Sequence, residues 1–454
     1  MSEKQVLVVH CVDTEGPKFE ALTDTFERLY DAFGLKIKPS KKNLKALQKG
    51  ELVNDFQRDA VMDFLGKDRL SYNETWSEVD AMLDVLMTNE WRNKYQDDFG
   101  RGYVFNWFCI DLVGFNFNPR RKALGYHAIF EHYQEILQRY DRSDMDELQW
   151  HFHPVSFTRE AHKSSNNYSF TNEHIQVLSR RVIDFGWFPS ASRPGLHMER
   201  ADINFFLEQW IPFDYANQAM EESDISLSQK DAGGGRYGDW RRATREWEVY
   251  HPDFYDYQKK GNMRRYIARC LNLNSRIRQI NQKEVDSAFH RADKGLPTIL
   301  SVTDHDEREM RNHIDRFYSM MRDSQSRYPE VKIKNCRSVE AMCLYEGLVG
   351  IEPIKLELSV DYEKQRIEVL TDRSPWGGHP YFCFKHLGGE YIHENLDFHG
   401  DCQWSYVFDD GTLPLNSIQI VGIAVNDEAG NSTVARVNVS KKESAEVTKH
   451  YRSI

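Results

Sequence analysis

The chain has 454 residues, of which 40% are hydrophobic and 28% charged, and its formal net charge is −11. These values are typical of a globular protein with two or three domains, while the acidic balance argues against a nucleic acid or an anionic membrane as partner, because binding to either needs clustered Lys and Arg. The sequence contains no apolar run near the roughly 18 residues of a transmembrane helix, so no membrane span is expected.

The N-terminus and the cysteines predict a cytoplasmic protein. The segment 1–5 leads directly into a strand-like run and lacks the basic region, apolar stretch and cleavage site of a signal peptide. The seven cysteines are scattered and form no CxxC pair. They are interpreted as reduced, mostly buried thiols rather than as disulfides or zinc-thiolate ligands.

Residues 1–345 alternate between strand-like and helix-like segments. Short apolar runs followed by loop residues predict strands at 6–12, 104–110, 148–153, 188–192, 213–216 and 298–302. Helical periodicity covers 125–140 and 171–186, and a further helix is expected after Asp306. Alternating strands and helices indicate a parallel sheet that is closed or nearly closed, a (β/α) barrel.

Two regions depart from this alternation. Residues 18 to about 100 predict a helical insertion between the first two strands, and its role could be a lid or purely structural. From residue 346, period-two segments separated by Gly and Asp turns predict a small antiparallel β-sandwich over 346–445. A charged tail, 446–454, is expected to be frayed.

Two pairs of polar residues close predicted strands. Asp13 and Glu15 follow the apolar run 6–9, and His151 and His153 lie between Trp150 and Pro154. Residues i and i+2 of a strand share a face, so each pair can point the same way. Two imidazoles and one carboxylate match a catalytic metal site with one open position. The alternatives are that Asp13 caps a turn and that the histidines hydrogen-bond beneath a loop.

Other polar residues follow predicted strands at the same end. Arg193 could orient a carboxylate through a bidentate pair or form a surface salt bridge. His305 could act as a general acid or simply precede the next helix. Asp111 ends a strand and is a pocket candidate by position, whereas His127 could reach the pocket or cap its helix. Trp240, in a glycine-rich loop over 232–240, could stack on a sugar ring or pack in the core.

Four segments resemble, in their order and chemistry, the polysaccharide deacetylase family of carbohydrate esterases. They are the segments that carry Asp13/Glu15, His151/His153, Arg193-Pro194 and His305. The resemblance covers roughly 5–345 and is thin outside the motifs. It implies a distorted (β/α) barrel and a divalent metal, most plausibly Zn²⁺, held by Glu15, His151 and His153. It also implies Asp13 as base, His305 as acid and Arg193 as the group that holds Asp13 ionised.

The resemblance implies hydrolysis of an N-acetyl or similar acyl amide on a sugar or polysaccharide precursor, with a carbohydrate as partner. Here Thr14 separates two acids that are adjacent in the common family pattern, and one residue rather than three separates the histidines. These spacings motivate a second reading, a catalytically inactive glycan-binding or scaffold protein. A third is a hydrolase that attacks a cyclic imide or another amide. The oligomeric state stays open.

Overall fold

The computed structural model describes residues 3–116, 125, 127–160, 168–221, 237–275 and 277–450. Seven parallel strands close into a barrel in the order β1-β2-β3-β4-β5-β7-β8-β1. These strands are β1 (Gln5–Thr14), β2 (Asn106–Asp111), β3 (Glu147–Phe152), β4 (Ala191–Ser192), β5 (Phe213–Asn217), β7 (Tyr266–Asn272) and β8 (Ile299–His305). The predicted parallel barrel is therefore confirmed, although β4 has only two residues.

Two further strands border the barrel, and both were absent from the prediction. The short β6 (Val249–Tyr250) pairs antiparallel with β7. In addition, β9 (Lys332–Asn335) pairs with the first half of β1, while β2 pairs with its second half. The strand β7 itself was also missed, because Arg269 interrupts its apolar run.

Eleven α-helices lie in the described residues. They are α1 (Leu22–Phe33), α2 (Lys41–Leu47), α3 (Arg58–Phe64), α4 (Trp76–Leu86), α5 (Asn89–Asn93), α6 (Ala128–Arg139), α7 (Glu173–Phe185), α8 (Ala201–Trp210), α9 (Gln282–Asp293), α10 (Arg311–Arg327) and α11 (Ser338–Glu346). The first five lie between β1 and β2, where the sequence predicts a helical insertion. None of the described helices is both long and apolar enough to span a membrane.

The alternation of β1 decides which side chains enter the barrel. Leu7, Val9 and Cys11 belong to the core inside the barrel, whereas Val6, Val8 and Val12 pack in the outer core beneath the helices. Asp13 continues the inward series because strand side chains repeat every two residues. At the opposite end of the strands, α11 joins the inner core through Ala341, Met342 and Cys343 and closes the barrel there.

The C-terminal part consists of two antiparallel sheets, which we call the sheet pair. One has the order β10-β11-β15-β14 and the other β13-β12-β16-β17-β18. Their bounds are β10 (Leu356–Asp361), β11 (Arg366–Thr371), β12 (Tyr381–His386), β13 (Tyr391–Glu394), β14 (Asp397–Gly400), β15 (Gln403–Val407), β16 (Ile418–Asn426), β17 (Ser432–Asn438) and β18 (Glu446–His450). Apolar residues of both sheets form one shared core, so the sheets pack face to face.

The prediction of a frayed tail over 446–454 was wrong for its first part. Residues Glu446–His450 form β18, which pairs antiparallel with β17, and the Arg436 guanidinium contacts the Glu446 carboxylate at 2.8 Å. The open edge of β17 offers backbone groups to a following segment, and the β-branched Val447 and Thr448 suit a strand. Residues 451–454 lie outside the described part of the chain.

The sheet pair is attached to the barrel through α7 and α8. The Tyr381 hydroxyl lies 2.9 Å from the Ser179 Oγ of α7 and donates to the Ile175 carbonyl at 3.0 Å. The Asn426 amide donates to the carbonyls of Pro189 and Trp210, each at 2.8 Å. These contacts are buried and hydrogen-bonded, so they fix the sheet pair against the barrel.

Candidate metal and catalytic site

Both polar pairs point into the barrel at the carboxyl ends of their strands. Asp13 ends the inward series of β1 and lies opposite His305 in the β1–β8 register. His151 and His153 follow Gln149 along the inner face of β3. Asp13, Glu15, His151 and His153 are each at most 6% exposed. The structure thus brings together the residues that the sequence places at two distant strand ends.

Glu15, His151 and His153 each offer a ligand atom, and these atoms lie within 4.8 Å of one another. The two histidine Nε2 atoms are 3.0 Å apart, and His153 Nε2 is 3.8 Å from Glu15 Oε1. Two ligands about 2.0–2.1 Å from a tetrahedral zinc ion are separated by roughly 3.3 Å. The donor set and its spacing therefore fit one small divalent cation.

The backbone of Arg193 sets the orientation of one imidazole. His151 Nδ1 lies 2.7 Å from the Arg193 carbonyl oxygen, which can only accept. A neutral His151 that donates from Nδ1 presents its Nε2 lone pair to the centre of the cluster. Hydrogen bonds of this kind fix the tautomer and ring position of metal-binding histidines.

Asp13 forms a buried ion pair with Arg193. The Arg193 Nε donates to Asp13 Oδ1 at 2.7 Å, and its Nη1 donates to the Tyr215 carbonyl at 2.7 Å. Burial disfavours the arginine charge, but Asp13 and the neighbouring thiols of Cys270 and Cys11 together raise the pKa of Arg193 above its ordinary value. The guanidinium is therefore a fixed positive charge against one face of Asp13.

His197 is the third partner of Arg193. Its Nε2 lies 3.1 Å from Arg193 Nη2, which is a donor, so His197 accepts. Burial, together with the charge of Arg193, holds the pKa of His197 well below its usual range. His197 is thus a neutral hydrogen-bond acceptor that helps to position the guanidinium. The sequence does not predict this role, because His197 lies three residues beyond the Arg193-Pro194 element, outside any strand-end pattern.

Two imidazoles lie near the Asp13 carboxylate, one beside each oxygen. His305 Nε2 lies 3.7 Å from Asp13 Oδ2, and His151 Nδ1 lies 3.5 Å from Asp13 Oδ1. The His305 side chain is 21% exposed, in contrast to its buried neighbours. It therefore lies at the mouth of the site, where it can meet both solvent and Asp13.

Asp306 holds the turn that carries Glu15. Its carboxylate accepts from the backbone N–H of Glu15 at 2.6 Å and from that of Gly16 at 3.0 Å, and Tyr133 donates to it at 2.7 Å. Gly16 adopts a φ of 68°, a left-handed conformation that favours glycine. These bonds fix the direction in which the chain leaves β1 and thereby place the Glu15 carboxylate.

Gly195 makes room for the second histidine. A Cβ atom built on Gly195 would lie 2.2 Å from His153 Cδ2 and 2.4 Å from His153 Cγ. The imidazole therefore rests directly on the backbone of the residue after Pro194. Only glycine allows this approach, so the Arg193-Pro194-Gly195 segment positions His153 as well as Asp13.

Three other predicted pocket residues are placed differently. Asp111 points to the outer face of β2, where it accepts from Arg181 at 2.7 Å and from Trp150 Nε1 at 3.0 Å, and burial raises its pKa to about 7. Trp240 is 1% exposed and donates to the His197 carbonyl at 3.0 Å. Asp111 is thus a structural carboxylate, and Trp240 has no face free for a sugar ring.

His127 is the residue before α6 and is exposed, with no side-chain hydrogen bond to the helix N-terminus. The capping role that the sequence allowed for it is therefore not adopted. Residues 232–236 of the glycine-rich loop lie outside the described residues. In the described remainder of that loop, 237–240, Trp240 packs with Tyr250, Tyr257 and Ile267.

A further inward residue, Asn272, was missed together with β7. It lies two residues beyond Cys270, which belongs to the core inside the barrel, and it is in register with Thr303 of β8. Its Nδ2 donates to the Ile277 carbonyl at 2.5 Å, while its buried Oδ1 has no hydrogen-bond partner among the described residues. Asn272 therefore leaves one acceptor available inside the barrel mouth.

The chain matches no family model, no curated protein and no solved structure. The chemistry of the site therefore follows from its own geometry. It combines a cation-binding group of three residues, a carboxylate anchored to a fixed guanidinium, and a partly exposed imidazole. That set of groups supports proton transfer to and from a reactant held beside a metal ion.

Proposed function

We propose that this protein is a metal-dependent hydrolase that removes an N-acetyl or similar acyl group from a sugar or a polysaccharide precursor. The observation that carries the proposal is the meeting of Glu15, His151 and His153 with Asp13 and His305 in one cluster at the carboxyl end of a parallel barrel. Active sites of such barrels lie at that end. The resemblance of the same residues to polysaccharide deacetylases supports the choice of amide hydrolysis.

Glu15, His151 and His153 would hold the metal ion. A mixed nitrogen and oxygen donor set of three residues suits Zn²⁺ and leaves one position open. When bound, the ion would supply Lewis acidity toward the attacking water and the amide carbonyl. The chain supplies the remaining functions through Asp13, Arg193 and His305.

Asp13 is the general base of the proposed reaction. It lies beside the metal-binding group, and Arg193 fixes its Oδ1 at 2.7 Å, so its other oxygen stays available to take a proton from water. The fixed positive charge of Arg193 holds the carboxylate in place through this charge-assisted hydrogen bond. Arg193 therefore positions Asp13 rather than contacting the reactants itself.

His305 is the general acid. Its Nε2 lies 3.7 Å from Asp13 Oδ2 and its side chain reaches the solvent-facing mouth, where a leaving amine would emerge. An imidazolium can protonate the amine as the C–N bond breaks, which releases acetate and an amino sugar. The free Oδ1 acceptor of Asn272 suits a hydroxyl or amide N–H of a polar substrate.

A glycan-binding protein without catalysis is the second candidate. The separation of 3.0 Å between the histidine Nε2 atoms is also a hydrogen-bond distance, so the two rings could pair without an ion. In that case the cluster would be a structural polar network in a binding cleft. Metal content and acetate release separate the two candidates.

The test measures bound metal by elemental analysis and acetate release from N-acetylglucosamine oligosaccharides and nucleotide-activated N-acetylglucosamine. We expect one zinc ion per chain and measurable acetate. The Glu15→Gln variant should lose both, whereas Glu309→Gln, which alters a partly exposed carboxylate paired with Arg311, should retain both. Saturable oligosaccharide binding without metal or acetate release would favour the binding protein and overturn the hydrolase.

A further inference from the structure

A second cavity lies at the opposite end of the barrel from Glu15. It has a volume of about 350 Å³ and is bounded by the N-terminal ends of β3 and β4, the start of α11, and the sheet pair at 430–432 and 449–450. Glu147, at the beginning of β3, lines this cavity, whereas His151 and His153 of the same chain segment lie at the other end. The proposed hydrolysis uses none of these cavity residues.

The cavity contains an arginine whose charge is only partly balanced. Arg337 is 7% exposed, and its Nε lies 3.5 Å from Glu340 Oε2. The same carboxylate oxygen accepts from Arg101 Nη1 at 2.6 Å, so two guanidinium groups share one carboxylate. Among the described residues, the two terminal nitrogens of Arg337 have no hydrogen-bond partner. A buried guanidinium whose two terminal nitrogens have no partner is suited to bind an anion through paired hydrogen bonds.

Other cavity groups reinforce this preference. Lys449 lines the cavity, and no described carboxylate lies within salt-bridge distance of its ammonium group. The buried Ser432 hydroxyl has no hydrogen-bond partner in the part of the chain that the structure describes. The remaining acid, Glu147, is engaged at the N-terminus of α11, where its Oε1 accepts from the backbone of Ser338 at 2.8 Å. The helix terminus partly offsets the Glu147 charge, which leaves two cations facing the cavity.

Part of the cavity lining is apolar. Leu137, Trp187 and Phe188 line it, and all three side chains are buried. A ligand with an anionic head and a flat apolar body would place the head between Arg337 and Lys449 and bury the body against Trp187. Small-molecule sites commonly combine apolar walls with a few polar anchors in this way.

We propose that this cavity is a second ligand site, specific for a small organic anion that carries a carboxylate or a phosphate on an apolar body. The site joins the barrel to the sheet pair, since Ser432 and Lys449 come from the latter and Arg337 from the former. It lies at the end of the barrel that is closed by α11, so a ligand there would not compete with the substrate.

The test uses phenyl phosphate and inorganic phosphate as probes in isothermal titration calorimetry with the full chain. We expect phenyl phosphate to bind saturably, at least about tenfold more tightly than inorganic phosphate, because the ring buries apolar surface. The Arg337→Gln variant should bind phenyl phosphate about 10–100-fold more weakly, since it loses charge-assisted hydrogen bonds. Equal affinity for both probes, or none for either, would overturn the proposal.

Three further variants test whether the anion binds in this cavity. Lys449→Gln changes an exposed residue and should weaken binding several-fold without affecting folding, whereas Lys441→Gln, which alters an exposed lysine outside the cavity, should not. Glu15→Gln should leave phenyl phosphate binding unchanged, which separates this cavity from the metal site. If Glu15→Gln abolishes binding while Arg337→Gln does not, the anion binds at the metal site and the cavity carries no ligand.

Discussion

The two ends of β3 carry polar residues on the same inward face, but they use them differently. Near its start, Gln149 Oε1 accepts from the backbone N–H of Ala191 at 2.9 Å, and Glu147 accepts from the first residues of α11. At its other end, the Nε2 atoms of His151 and His153 face each other beside Glu15. Polar groups that neighbouring backbone satisfies hold the barrel together, whereas side chains that converge on one point are available for chemistry.

The largest effect should come from the ion pair at the functional end. Asp13→Ala leaves the Arg193 guanidinium buried without its carboxylate, which should lower the free energy of unfolding by about 3–5 kcal/mol and abolish acetate release. Gln149→Ala, at the other end of β3, removes an acceptor from two backbone N–H groups. It should lower the free energy of unfolding by about 1–3 kcal/mol. Urea unfolding and the turnover of the surviving folded protein measure both effects.

The comparison would fail if Gln149→Ala reduced kcat as strongly as Asp13→Ala does. In that case the two ends of the strand would not be functionally distinct. We expect Gln149→Ala to retain the wild-type kcat at a temperature where the variant is fully folded.

Asp306 tests whether the turn after β1 positions the metal-binding group. Asp306→Ala removes the acceptor for the backbone N–H groups of Glu15 and Gly16, so we expect a loss of about 2–3 kcal/mol in unfolding free energy and a roughly tenfold weaker affinity for zinc. Tyr133→Phe removes one hydrogen bond to the same carboxylate and should cost about 1 kcal/mol. Zinc competition with a chromogenic chelator measures the affinity, and an unchanged value in Asp306→Ala would show that Glu15 does not depend on this turn.

Gly195 offers a smaller and more local perturbation. Gly195→Ala would place a methyl group 2.2 Å from His153 Cδ2 and displace the imidazole, so zinc affinity should fall about 10–100-fold. Gly400→Ala is the matched control, because no atom lies within 4 Å of a Cβ built there. The control should bind zinc like the wild type. Equal affinities for all three proteins would exclude His153 as a ligand.

The sequence predicts the shared face within each polar pair, because that face depends only on local strand geometry. Asp13 and Glu15 are two residues apart, as are His151 and His153, so their common faces follow from the period of a strand. Asp306 could not be recognised in the same way. It binds the Glu15 backbone across 291 positions, and no local pattern specifies such a contact.

Two strands of the fold were likewise not predictable from local sequence patterns. The barrel was evident from the apolar runs, but β7 was missed because Arg269 lies in its middle. That guanidinium is buried and donates to the Glu284 carboxylate at 2.6 Å and to the Ala219 carbonyl at 2.7 Å. The edge strand β18 depends likewise on pairing with β17 rather than on its own charged sequence. In both cases tertiary partners override the local signal.

An effect confined to acid pH concerns the outer face of β1, where His10 contrasts with the inward histidines. Burial lowers the pKa of His10 to about 3, and its Nδ1 lies 2.8 Å from the Tyr103 hydroxyl. The unfolded chain binds a proton near pH 6.5 that the folded chain does not, so stability present above pH 6.5 falls by about 1.4 kcal/mol per pH unit on acidification toward pH 3. His10→Gln should remove this contribution, which urea unfolding at pH 5.0 and 6.5 measures. His399→Gln, at an exposed position, should keep the wild-type slope, and an equal slope in His10→Gln would mean that His10 is protonated in the folded protein.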